Sequence, residues 1–61
     1  MNATYDWKAI TTVKGMREPF VDWYRGTREQ AMAAWQRDCA DNGVPLDRAT
    51  VVLLPTEPTG R

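Results

Sequence analysis

The sequence holds no histidine and one cysteine, Cys39. Without histidine, the commonest general base and the commonest metal ligand are both missing. A lone cysteine closes no intramolecular disulfide, which excludes a small secreted scaffold stapled by bridges. Long apolar runs are lacking as well. The longest, 31–35 and 51–54, fall far short of the roughly 20 residues that span a bilayer. The opening Met1-Asn2-Ala3-Thr4-Tyr5-Asp6 has neither the basic region nor the apolar stretch of a signal peptide. A reduced, cytoplasmic protein with no membrane contact is therefore expected. Surplus charge of one sign is also absent, since eight Lys and Arg balance eight Asp and Glu. That removes the basic excess from which nucleic-acid affinity normally starts.

What remains is the composition of a small folded domain. The 61 residues are 43% hydrophobic and 26% charged, with three Trp, two Tyr and one Phe, outside the range of disordered chains. A chain of this length buries only roughly 60% of its unfolded surface, so one small core is the most it can build.

Residues 5–13 alternate: Tyr5, Trp7, Ala9, Thr11 and Val13 point one way, and Asp6, Lys8, Ile10, Thr12 and Lys14 the other. A period of two with aromatic and β-branched members predicts a half-buried strand. Gly15 and Pro19 mark a loop, and residues 20–25, again aromatic and β-branched, predict a second strand closing a hairpin. Thr27 with Gln30 three residues later fits a capping box. A helix over 28–40 follows, with Ala31, Met32, Trp35 and Cys39 on one stripe. Asn42-Gly43 supplies the chemistry of a helix end, and Pro45 blocks continuation. Residues 50–54 predict a third strand. Its unbroken run from Val51 to Leu54 suggests burial on both sides or a covered outer face.

The expected fold is α+β in the order β-β-α-β. A right-handed crossover sets the third strand beside the first, giving a three-stranded antiparallel sheet of order 2-1-3 with one helix on one face. Trp7 is expected at the centre, under Trp35. The domain is expected to cover 1–55. The stretch 55–61 holds two Pro, one Gly and nothing to bury, so residues 56–61 are expected to form a flexible tail.

Chemistry is sparse. Cys39 has no histidine to generate a thiolate and sits on the apolar stripe, where a free cysteine behaves as a small hydrophobe. Asp38 and Asp41 lie three apart on a helical face, yet nothing beside them suggests a concave substrate site. No metal-ligand spacing and no phosphate-binding glycine loop occur. No enzyme activity, no cofactor and no metal are expected.

Two features break local rules, which is where function tends to sit. Arg28 opens the helix while Asp38 and Asp41 close it, against the macrodipole, and Asp47 follows just beyond. These three carboxylates form one candidate partner-binding surface. The second feature is surplus aromatic area on the second strand. In one register Val21 and Trp23 face the helix and leave Phe20, Asp22 and Tyr24 on the open face with Ile10. The other register buries Phe20 and Tyr24 and exposes Trp23. Either way an aromatic is left over for a partner, and Phe20, Asp22 and Tyr24 complete the candidate partner-binding set.

The stretch Arg17-Glu18-Pro19-Phe20-Val21-Asp22-Trp23-Tyr24-Arg25-Gly26-Thr27 and the helix Glu29-Gln30-Ala31-Met32-Ala33-Ala34-Trp35 resemble small proteins encoded by phages. In size, neutrality and lack of chemistry the chain is similar to anti-CRISPR inhibitors, those of type I-C systems included. The resemblance is one of format and carries over no binding residue. It implies a monomeric, non-enzymatic inhibitor that occludes a bacterial CRISPR-Cas surveillance complex, the partner being a subunit with a basic DNA-binding surface. The alternatives are a small nucleic-acid-binding module, favoured by stacking aromatics on a sheet, and a structural or accessory phage protein.

Overall fold

The computed structural model describes residues 4–58. Strand β1 (Tyr5–Val13) and strand β2 (Phe20–Gly26) are followed by helix α1 (Arg28–Asp41), a 3-10 turn (Leu46–Arg48) and strand β3 (Ala49–Pro58). The sheet order is β2-β1-β3 with both pairings antiparallel, as the alternating pattern and the crossover rule imply. This is an α+β fold of two layers, with one helix over one face of a three-stranded sheet.

Alternation along β1 places Trp7, Ala9, Thr11 and Val13 inside. Helix α1 turns Ala31, Trp35 and Cys39 toward them, with Met32 half-buried beside the same core. Thr27 caps the helix through its hydroxyl, which accepts from the Gln30 amide at 3.1 Å, while Gln30 Oε1 accepts from the Thr27 amide at 2.8 Å. At the other end Asn42 is the cap. The Gly43 amide donates to the Ala40 carbonyl at 3.2 Å and the Val44 amide to the Cys39 carbonyl at 2.8 Å. With Gly43 in the left-handed region at φ 72°, this is a Schellman ending that satisfies the last carbonyls.

Three expectations need correction. Trp35 does not lie over Trp7. It packs with Ala9 and Cys39 and donates its indole N–H to Thr11 Oγ1 at 2.9 Å. The side chain of Ala9 is small enough to admit the large indole. Trp7 is buried further along the sheet, donating to the Gly26 carbonyl at 2.9 Å and meeting Tyr5 edge-on at 5.7 Å.

The expected tail from residue 56 belongs in part to the sheet. β3 continues through Pro58, and a register shift opposite Asp6 and Trp7 accommodates the extra residue. The Thr56 hydroxyl donates to the Asp6 carbonyl at 2.8 Å. Proline is tolerated here because β3 is an edge strand, where a missing N–H breaks no ladder. Residues 59–61 of the expected tail lie outside the described residues.

Nor is β3 buried on both sides. Val51 and Leu53 are half-buried toward the helix layer, whereas Val52 and Leu54 are exposed.

Candidate functional site

Strand β2 settles which of its faces carries which aromatic. Phe20, Asp22 and Tyr24 are half-buried on the helix side, and Val21, Trp23 and Arg25 are exposed on the other. Of the two registers the sequence left open, the one that turns Phe20 and Tyr24 inward and exposes Trp23 is the one present, so Phe20, Asp22 and Tyr24 do not lie on the open sheet face. Two contacts between residues distant in sequence accompany this register. The Tyr24 hydroxyl reaches Asp38 on α1, donating to Oδ2 at 2.7 Å. Arg25, on the opposite face, pairs with Asp6 across the strands at 2.9 Å.

Between β2 and α1 lies a cleft of about 300 Å³, lined by Phe20, Asp22, Tyr24, Trp35, Asp38, Cys39, Asn42 and Val44. It gathers four of the six residues expected to bind a partner. Asp41 and Asp47 are exposed and do not line it, so the three helix-end carboxylates share no such site. Asp38 is the helix-end acid with a local role, because it holds the Tyr24 hydroxyl. Sequence reasoning placed Trp35 and Cys39 in the core but missed that they also wall the cleft. The signal was available in their position one turn apart on the stripe that meets β2.

The electrostatics of the cleft disfavour anionic chemistry. Burial pushes the Cys39 thiol above its usual 9.0, and the carboxylates of Asp22 and Asp38 push it further. That is opposite to the environment of a nucleophilic thiolate. Burial likewise drives Tyr24 far above its usual 10.0, reinforced by the hydrogen bond to Asp38 and by the charges of Asp38 and Asp22. Both shifts favour the neutral form. Among the described residues no group of three or more His, Cys, Asp or Glu is placed to hold a metal ion, and no helix is long and apolar enough to cross a membrane.

The opposite side of the sheet is open. There the register sets Val21, Ile10 and Val52 in one row and Trp23, Lys8 and Leu54 in the next. Trp23 is 59% exposed and Val52 55%, with Val21 and Leu54 also exposed. Five of these six side chains are apolar, and no described element packs over them. A third row, Arg25, Asp6 and Glu57, adds charge at the border. The sequence offered Trp23 as one of two alternatives, but not the alignment of three strands that joins it to Val52 and Leu54.

Compared with known proteins, the chain matches no family model, no curated protein and no solved structure.

Proposed function

We propose that this is a non-enzymatic binding protein that acts by covering a surface of another protein, with the open sheet face as its docking surface. The single observation that carries this reading is the contiguous apolar face of Val21, Trp23, Ile10, Val52 and Leu54. Contiguous exposed apolar surface rimmed by charge marks interaction sites, and Trp23, the largest side chain of this face, 59% exposed on edge strand β2, is of the residue type most often found as an energetic anchor. Lys8 between Trp23 and Leu54 adds a polar contact while its stem extends the apolar area.

The resemblance to anti-CRISPR inhibitors directs the proposal to a bacterial CRISPR-Cas surveillance complex. Occlusion of a subunit near its basic DNA-reading surface is the mode of action that follows. The test is plasmid interference in bacteria with an active type I-C system, with and without this protein. Wild type is expected to abolish interference, and a Trp23→Ser, Leu54→Ser double variant to restore it while melting like wild type. A wild type that leaves interference untouched removes the CRISPR target. A folded double variant that inhibits as well as wild type removes the docking face.

One observation favours a second reading: Trp23 and Lys8 are register neighbours on an open sheet face, an arrangement on which single-stranded nucleic acid can stack. Salt-sensitive binding of oligonucleotides, lost on Trp23→Ser, would establish it in place of the first.

A further inference from the structure

The cleft between β2 and α1 lies on the side of the sheet opposite the docking face and is independent of it. Its walls combine two kinds of surface. Phe20, Tyr24, Trp35 and Val44 supply aromatic and apolar area, and Asp22 and Asp38 supply two carboxylates, while no basic residue lines it.

Neither carboxylate is neutralised internally. Among the described residues the ion pair present joins Arg25 to Asp6. Asp22 is half-buried and, of the described residues, none gives it a hydrogen bond or a salt bridge. Asp38, an exposed residue at the rim of the lining, accepts from Tyr24 through Oδ2, and no described residue gives Oδ1 a hydrogen bond or a salt bridge. Burial is the main cause that raises Tyr24 and Cys39, and the charges of Asp22 and Asp38 add to it in the same direction.

From this combination we infer that the cleft is a binding site for a guanidinium group on a short apolar stem. A guanidinium is planar, weakly hydrated, and able to stack on aromatic faces while forking hydrogen bonds to carboxylates. Ammonium is more strongly hydrated and fits aromatic walls less well. The volume, about 300 Å³, is at the low end for ligand sites and suits a single side chain or a small free cation.

The experiment is an NMR titration of the intact protein, following the Trp35 indole N–H and the Asn42 side-chain amide. Three probes are compared: butylguanidinium, the capped tripeptide Gly-Arg-Gly, and the capped tripeptide Gly-citrulline-Gly, the neutral isostere. Saturable shifts at Trp35 and Asn42 are expected with the arginine peptide and butylguanidinium and not with the citrulline peptide. Binding of butylguanidinium alone identifies the ligand as a free small cation; binding of both cationic probes identifies an arginine side chain. Asp22→Asn is expected to weaken binding roughly tenfold or more, the loss of one charge-assisted hydrogen bond. Asp38→Asn keeps an acceptor for Tyr24 and is expected to weaken it similarly. Asp41→Asn, outside the cleft, serves as the control and should bind like wild type. Melting curves verify that the variants are folded. The inference is overturned by non-saturable shifts, by equal binding of the citrulline peptide, or by folded Asp22→Asn and Asp38→Asn variants that bind as wild type does.

Discussion

The indole N–H of Trp35 on helix α1 donates to the hydroxyl of Thr11 on the central strand at 2.9 Å, and both residues are buried. Thr11 is fully enclosed, at 0% exposure, so this contact satisfies polar atoms that water does not reach. It locks the rotation of the helix on the sheet at one point.

Removing either partner should therefore cost more than a typical hydrogen bond. Thr11→Val preserves shape but orphans the Trp35 N–H, an expected loss of ~1–3 kcal/mol. Trp35→Ala also opens a cavity, and ~3–5 kcal/mol is expected, comparable to the whole stability of a small domain. In the cycle Thr11→Val, Trp35→Phe, the double variant should lose less than the sum of the singles, as measured by urea unfolding. Strict additivity would show that the contact contributes nothing.

Gly26 and Gly43 both adopt positive φ, at 132° and 72°, yet their substitutions should differ. A Cβ at Gly43 meets nothing within 4 Å, so Gly43→Ala carries backbone strain alone, ~1–2 kcal/mol. A Cβ at Gly26 collides with Gln30 Oε1, the atom that caps the Thr27 amide. Gly26→Ala should accordingly lower the melting temperature further than Gly43→Ala, and Gln30→Ala should narrow that gap by removing the colliding atom.

Stability should decline in alkali. Cys39 and Tyr24 have folded-state pKa values raised above 9.0 and 10.0. Below pH 9 both are protonated in either state, so their shifts leave stability unaltered there. Above pH 9 the unfolded chain loses the cysteine proton first, and above pH 10 the tyrosine proton, while the folded chain holds each proton to a higher pH than the unfolded chain does. Unfolding is then favoured by at most about 1.4 kcal/mol per pH unit for each group. Urea titrations from pH 7 to 11 measure the slope. Cys39→Ala should flatten its onset near pH 9, and Tyr24→Phe its continuation above pH 10.

Truncation after Leu54 should destabilise the domain. It removes the Pro55–Trp7, Glu57–Asp6 and Pro58–Tyr5 register pairs and the bond from Thr56 to Asp6. At ~0.5–1.5 kcal/mol per hydrogen bond, a loss of roughly 1–3 kcal/mol is expected in thermal or urea melts. An unchanged midpoint would show that this end of β3 adds nothing to stability.

The elements whose sequence carried one dominant pattern were legible. Alternation in β1 and the apolar stripe of α1 each had a clear period, and the capping box at Thr27 and the Asn42-Gly43 ending fixed the helix bounds to within a residue. Where two patterns competed, local signals did not decide. β2 carries aromatics on both faces, and a charged residue on each, so its orientation depends on Tyr24 finding Asp38 and Arg25 finding Asp6. Both are long-range contacts. The end of β3 resembled a tail because of Pro55 and Pro58, whose cost vanishes only at a sheet edge. The candidate site was half visible for the same reason. Phe20, Asp22, Tyr24 and Asp38 stood out by type, but their convergence on one cleft is a property of the β2–α1 packing. Asp41 and Asp47 share the chemistry of Asp38 without its geometry.

The order of strands in the sheet also sets an order of events. β1 is the central strand and the first of the three along the chain, whereas β3, which completes it, is the last. Tyr5 waits for Pro58 and Val13 for Ala49, so much of the sheet is non-local and slow to close. Until then the β1–β2 hairpin presents the free edge of β1, an unpaired row of amides and carbonyls beside Trp7, Ala9 and Ile10. Exposed edges of that kind recruit other chains. The interval between synthesis of Val13 and docking of Ala49 is thus when this protein is most prone to aggregate, and fast pairing of β3 is what protects it.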